Sequence, residues 1–185
     1  MTLDNLSDIP PDVRSAVYWE LEVETEVEEA FEKEEWFSQV LLEWGSCGKM
    51  LVEDDRGAVA FAQYAPPSFF PRLTQFRCGR VSPDAIYLAY CYAVPERRGF
   101  GLGREVIRSV AADLLDRGFR AVESIGSRVG AEGWILPVSF LASAGFVVVR
   151  DDARFPLLRL DLSVAVEPQE AAEAVGVPLP APGAA

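Results

Sequence analysis

Residues 85–103 read AIYLAYCYAVPERRGFGLG, and the organisation of the chain follows from this stretch. Its first ten residues, Ala85 to Val94, are nearly continuous in apolar character. A run of that length and composition predicts a central strand buried on both faces. Pro95-Glu96-Arg97 breaks the strand, and Arg98-Gly99-Phe100-Gly101-Leu102-Gly103 follows at once. Leu102, Val106, Ile107, Val110, Leu114 and Leu115 then recur at helical spacing, and Gly118 is placed to end that helix. Strand, glycine-rich turn and helix form a unit suited to anions. A helix N-terminus leaves backbone N–H groups unpaired and carries positive partial charge, and glycines let a phosphate approach the backbone closely.

Working outward, Ala121 to Ile125 is a second short strand, Pro137 to Ala144 a short helix stopped by Gly145, and Phe146–Val149 and Pro156–Leu162 two further strands. Upstream, Lys49–Val52 and Ala58–Tyr64 flank the turn Glu53-Asp54-Asp55-Arg56-Gly57 and predict an antiparallel hairpin. Residues 65–84 form a long connector with Pro66, Pro67, Pro71 and Pro83. It carries Phe69, Phe70, Arg72, Phe76, Arg77 and Arg80, which suit either a substrate loop or passive packing. Residues from about Pro10 to Trp44 read as helical, with Ile9, Val13, Val17, Val27, Phe31, Val40, Leu41 and Trp44 as the apolar stripe. Nine glutamates and one lysine, Lys33, lie between Glu20 and Glu35 and read as a solvated helix face, with an interaction surface as the alternative. One domain over residues 1–165, with N-terminal helices in 1–47, and an Ala/Pro-rich tail over 166–185 is the expected division.

The 185 residues carry a formal net charge of -12, no histidine and three scattered cysteines, Cys47, Cys78 and Cys91. The acidity disfavours nucleic acid as a partner and is compatible with a cationic one. The missing histidine removes the usual general base and makes a zinc site improbable. No apolar run is long enough to span a membrane and no signal peptide is evident, so a cytoplasmic protein without membrane association is expected.

Three readings of the glycine turn compete. The dinucleotide fingerprint G-x-G-x-x-G is not matched, because the glycines fall as G-x-G-x-G, and the P-loop lysine is absent. The third, R/Q-x-x-G-x-G/A, is matched by Arg98, Gly101 and Gly103. With the elements around it, from Gly48 to Leu162 and including Ala144-Gly145-Phe146, the sequence resembles the GCN5-related N-acetyltransferases, the GNAT superfamily. That resemblance implies an α+β fold, a mixed and mostly antiparallel sheet flanked by helices. It implies acetyl-CoA as acyl donor with no metal, and direct transfer to a small-molecule or peptide amine. Homodimers are common in the family.

By the resemblance, the backbone of Cys91 and Ala93 pairs with the pantetheine arm, and the N–H groups of Arg98, Gly99, Phe100, Gly101, Leu102 and Gly103 hold the pyrophosphate. Ser139 contacts the cofactor or caps its helix. Where the family often has a glutamate base, this chain has Tyr87; where it often has a tyrosine acid, it has Leu141. Tyr87 or Cys91 is then a candidate to protonate the leaving thiolate, with a packed core residue as the alternative for each; Glu123, the one carboxylate inside a predicted core strand near the site, is a candidate to relay a proton from the amine, or else it pairs with an arginine or reaches solvent. Strict alternation places Tyr87 with Cys91 on one face of the strand and Tyr90 with Tyr92 on the other. A non-catalytic acyl-CoA sensor on the same fold is the alternative function.

Overall fold

The computed structural model describes residues 7–9, 11–22, 29–54 and 57–165. The elements run α1 (Pro11–Arg14), α2 (Glu29–Trp44), β1 (Gly48–Glu53), β2 (Gly57–Ala65), β3 (Ala85–Ala93), α3 (Leu102–Asp116), β4 (Ala121–Ser127), β5 (Leu136–Pro137), α4 (Val138–Ser143), β6 (Val147–Arg150), β7 (Leu157–Asp161) and α5 (Leu162–Ala165). The strands form one seven-stranded sheet in the order β1-β2-β3-β4-β7-β6, with β5 added beside β4. Only β3·β4 and β4·β5 are parallel; the other pairs are antiparallel. The expected mixed, mostly antiparallel sheet with flanking helices is therefore present.

Two apolar layers sandwich the sheet. On one face Val106, Ile107, Val110 and Leu114 of α3 pack on Ile86, Leu88, Val122 and Leu158. On the other, Trp19, Trp36, Phe37 and Phe70 pack on Tyr87, Ala89 and Tyr90. Helix α3 ends as its sequence requires: Gly118 takes φ +82°, its N–H bonds the Leu115 carbonyl, and Phe119 N–H bonds Leu114.

The pairing of β3 with β4 is brief. It covers Ala85↔Ala121, Ile86↔Val122 and Tyr87↔Glu123 and then stops. Beyond it β4 turns to β5 at Gly126↔Leu136 and Ser127↔Pro137. A gap therefore opens between the C-terminal halves of β3 and β4. This is why β3, expected to be buried throughout, is buried only to Tyr90 and half-buried from Cys91 to Ala93.

A bulge sets which side chains face the gap. Gln63 pairs with Tyr90 but Tyr64 pairs with Leu88, so Ala89 is the extra residue. The inserted residue shifts the alternation by one. Tyr87, Ala89, Tyr90 and Tyr92 consequently share the Trp19 face, while Cys91 and Ala93 turn toward α3. The expectation that Tyr87 and Cys91 share a face is corrected by this insertion.

The N-terminal region is also corrected. The expected helix from Pro10 to Trp44 is interrupted: residues 15–22 are not helical, and the rest of the acidic run, residues 23–28, lies outside the described residues. Tertiary bonds hold residues 15–22 instead. Trp19 Nε1–H donates to the Trp134 carbonyl at 3.2 Å, Tyr90 hydroxyl to the Ala16 carbonyl at 3.3 Å, and Arg72 Nε–H to the Leu21 carbonyl at 3.0 Å. Trp19, the strap's largest side chain, is turned inward and almost fully buried, so the non-helical strap covers apolar surface of the sheet.

Close packing at Gly126 yields a stability prediction. A Cβ there would lie 2.8 Å from Leu158 Cδ1, 2.9 Å from Val138 Cγ2 and 3.1 Å from Leu141 Cδ1. Gly126→Ala is expected to destabilise the fold by about 1–3 kcal/mol through overpacking. Urea unfolding should show a lower midpoint at unchanged slope. An unchanged midpoint would mean that β4 and α4 are not in contact as described.

Candidate functional site

The gap in the sheet opens into a cavity of about 610 Å³. One wall is β3, through Cys91, Tyr92 and Ala93; another is the glycine turn and the start of α3, through Arg98, Gly99, Gly101, Leu102, Gly103 and Arg104. Leu136, Pro137, Phe140 and Ser143, from β5 and α4, close the far side. The most consequential stretch of the sequence thus supplies two of the three walls.

The turn is shaped for an anion. Gly99 and Gly101 sit at φ +86° and +85°, a region that L side chains rarely adopt. Gly101 is the residue that caps α3, and its carbonyl takes the N–H groups of Arg104 and Glu105 at 3.0 and 3.1 Å. The N–H groups of residues 99 to 103 have no backbone acceptor among the described residues. Successive free N–H groups at a helix N-terminus form a concavity for phosphate oxygens. Gly103 is required for a different reason: a Cβ there would lie 2.8 Å from Phe140 Cε2 and 3.8 Å from Cys91 Sγ, in the throat of the cavity. Arg97, Arg98 and Arg104 add positive charge to a chain that is strongly acidic overall. Arg98 Nε–H donates to the Ala93 carbonyl at 3.1 Å, and Arg97 is ion-paired with Glu53.

Of the expected cofactor residues, Cys91, Ala93, Arg98, Gly99, Gly101, Leu102 and Gly103 line this cavity. Two side chains do not. Phe100 is 70% exposed, with its ring beneath the Arg97 guanidinium. Ser139 is exposed on the outer side of α4, because the inward positions of that short helix are taken by Phe140 and Ser143. Phe140 and Ser143 are lining residues that motif reading missed, and Arg104, the residue after the last motif glycine, lines the cavity as well. A helical projection of α4 marks Phe140 and Ser143, three residues apart, as one face.

The three catalytic candidates are separated. Tyr87 is fully buried, edge-on to Trp19 and Phe70 with ring centroids 5.2 and 5.3 Å away, and does not line the cavity. Burial pushes its phenol well above the usual range, opposed only in part by the nearby Ile125 backbone. Glu123 is fully buried as well. Its Oε2 accepts the Ser82 N–H at 2.8 Å and its Oε1 faces Arg159 Nη1 at 3.1 Å, in a cluster that also contains Asp84 and Asp161. Both carboxylate oxygens are engaged, and Glu123 anchors the 65–84 connector rather than facing the cavity. Tyr87 and Glu123, the residues considered for proton roles, are thus packed among core rings and ion-pair partners and do not line this cavity. Leu141 is fully buried beside Gly126 and does not line the cavity.

Cys91 alone of the three lines the cavity, with Sγ 3.7 Å from the Gly103 carbonyl. Burial pushes its thiol up to about 12. Its alkylation by iodoacetamide at about pH 8 is therefore expected to run about a thousandfold slower than that of an ordinary cysteine, because the thiolate is the reactive form. Peptide mass spectrometry after timed quenching measures this; a rate like that of free cysteine would contradict the thiol's protonated state. Among the described residues there is no cluster of potential metal ligands and no helix long and apolar enough to cross a membrane.

The arrangement matches known proteins. The chain aligns in fold with a phosphinothricin acetyltransferase from Sinorhizobium meliloti bound to AcCoA, at 16% identity, over 87% of this chain and 85% of the other, with a TM-score of 0.58. An N-acetyltransferase from Staphylococcus aureus Mu50 gives 16% identity, 86% and 93% coverage and a TM-score of 0.55. A GNAT family N-acetyltransferase from Escherichia coli in complex with CoA gives 13%, 91% and 82%, and 0.52. At these identities the likeness is one of fold. No curated protein matches the chain significantly. The family model described as the acetyltransferase (GNAT) family matches residues 14–131, most of the chain and all of the strand–turn–helix unit. With that match and the sheet that splits beside a glycine-capped helix, the chain belongs to the GNAT acetyltransferase family.

Proposed function

We propose that the protein is an acetyl-CoA-dependent N-acetyltransferase that transfers the acetyl group directly to an amine. The observation that carries this reading is the row of backbone N–H groups from 99 to 103 at the mouth of a cavity that runs to the β3–β4 gap. The residues fit the cofactor. Gly99, Gly101, Leu102 and Gly103 present N–H groups to the pyrophosphate, and Arg98 and Arg104 add charge beside it. Cys91 and Ala93, on the strand that loses its neighbour, offer backbone groups to the pantetheine amides. Bound there, acetyl-CoA supplies an acyl group activated as a thioester. The chain's contribution is to hold its carbonyl in the gap, where a β3 N–H offsets developing negative charge, and to orient it toward the amine.

Isothermal titration with acetyl-CoA tests the binding, with a dissociation constant expected on the order of micromolar. Thiol release with a panel of amines, polyamines, aminoglycosides and peptides tests the transfer. A second reading, a non-catalytic acyl-CoA sensor, draws on the buried Tyr87 and the arginine-bound Glu123. Acetyl-CoA binding without thiol release across the panel would favour it, and no binding would remove both.

A further inference from the structure

Away from the cavity, Glu20 of the strap ion-pairs with Lys33 of α2; the lysine is fully buried and the glutamate nearly so. The same carboxylate accepts the Gln63 Nε2–H and, at 3.2 Å, the Tyr90 hydroxyl. The ammonium lies 4.5 Å from the Tyr90 ring centroid and 5.4 Å from those of Trp36 and Phe37. These groups hold the strap and α2 on the sheet. The side chain without a structural role at the cavity is of the opposite kind, a large apolar group left in solvent.

Phe100 is 70% exposed. Single exposed apolar side chains are ordinary on protein surfaces, and Leu42 and Val129 need no further account. Phe100 differs from them by its place. It sits between Gly99 and Gly101, which both line the cavity and both take positive φ. Its own N–H belongs to the row at the start of α3. A phenyl ring adds nothing to the binding of an anion, but its flat face suits a planar group joined to that anion.

The ring has open ground beside it and a fixed position. Beyond its chain neighbours, a Cβ at Gly99 would meet nothing within 4 Å, and one at Gly101 would meet Arg104 Nη2 at 3.6 Å. The Arg97 guanidinium lies 5.3 Å from the ring centroid and is itself ion-paired with Glu53. A guanidinium over one face of a ring steadies it and leaves the other face free. Arg97 also lines the cavity, and its Nε–H is buried with no acceptor among the described residues. An exposed ring face and an unmet donor thus stand together at the outer side of the turn.

The covalent order of coenzyme A is base, ribose, pyrophosphate and arm. With the pyrophosphate on the N–H groups of 99 to 103 and the arm directed to the β3–β4 gap, the nucleoside leaves the turn outward. One ribose separates the base from the phosphates, which brings the base within reach of the exposed ring. We propose that Phe100 is the seat of the cofactor's adenine base, stacked on the ring face opposite the Arg97 guanidinium. The oxygens next to that base offer the acceptor that Arg97 Nε–H lacks. This rests on the acetyl-CoA reading of the turn and adds recognition of the nucleotide end. The protein then selects a CoA thioester over the same acetyl group on a bare phosphopantetheine arm.

The test is isothermal titration of the full chain with coenzyme A, with phosphopantetheine, which lacks the nucleotide, and with ADP, which lacks the arm. Phe100→Leu keeps an apolar side chain and removes the ring. It should weaken coenzyme A and ADP by about tenfold each and leave phosphopantetheine unchanged. Phe100→Trp restores a flat face and should hold coenzyme A within about twofold of wild type. Gly101→Glu should weaken all three ligands, because it acts on the phosphate cradle they share. The side chain is mostly in solvent, so circular dichroism should show both Phe100 variants folded. Wild-type affinity for coenzyme A in Phe100→Leu would overturn the proposal. An equal loss for phosphopantetheine would also overturn it, since the ring would then only shape the turn, and so would a tryptophan variant as weak as the leucine one. In those cases acetyl-CoA binding on the turn would still stand; absence of coenzyme A binding by the wild-type chain would instead remove both readings.

Discussion

Gly101→Glu is expected to weaken acetyl-CoA binding by about a hundredfold or more, with the fold retained. Two effects act together. Gly101 sits at φ +85°, where a residue with a Cβ costs about 1–2 kcal/mol, and the turn can relieve this only by rotating its N–H groups out of alignment. The new carboxylate then stands at the N-terminus of α3, where it satisfies the N–H groups and charge meant for a phosphate. Space is not the limit, since the nearest atom to a Cβ there is Arg104 Nη2 at 3.6 Å. A carboxylate at this point can pair with Arg104 as well, which withdraws one more cation from the ligand. Isothermal titration measures the loss, and circular dichroism confirms that the sheet persists. Gly101→Ala separates the two effects, since it introduces strain without charge and should cost about tenfold. Wild-type affinity in Gly101→Glu would mean that the phosphates bind elsewhere.

The turn was legible in the sequence because its constraints are local. A buried strand, three glycines and an amphipathic helix follow one another without a break over residues 85–116, and the structure places them in that order. What could not be read depended on non-local insertions. The bulge at Ala89 leaves no mark in AIYLAYCYAV, yet it moves Tyr90 and Tyr92 across the sheet and separates Tyr87 from Cys91. The strap at 15–22 was read as helix because Val13 and Val17 keep helical spacing. Its conformation is decided by Trp134, Tyr90 and Arg72, which lie dozens of residues away. Glu123 was legible as a buried carboxylate, but its partner Arg159 belongs to a strand reached only through the fold. Lys33 was the least legible of all. Among nine glutamates it read as one member of a solvated face, whereas it is one of the largest fully buried side chains.

Lys33→Met is expected to destabilise the protein by about 3–5 kcal/mol, the cost of leaving a buried charge without its partner. Methionine nearly matches the lysine stem in volume, so the Trp36, Phe37 and Tyr90 contacts are kept and the loss reports on charge. Among the described residues, Glu20 would then retain the neutral donors Gln63 and Tyr90 to offset its carboxylate. The direction of the Lys33 shift agrees: burial lowers its ionisation below the usual lysine range, and the Glu20 carboxylate opposes but does not overcome this. The ion pair is thus a poor source of net stability but an expensive one to break. That asymmetry predicts the second variant. Glu20→Gln with Lys33→Met removes both charges and keeps an oxygen toward Gln63 and Tyr90. It should recover most of the loss, leaving a deficit within about 1–2 kcal/mol of wild type. Urea unfolding of the four proteins in the cycle gives the coupling energy directly. Two losses that simply add, with no recovery in the double variant, would show that Glu20 and Lys33 do not compensate each other. The strap would then owe its place to Trp19 and to the bonds that Tyr90 and Arg72 make to its backbone carbonyls.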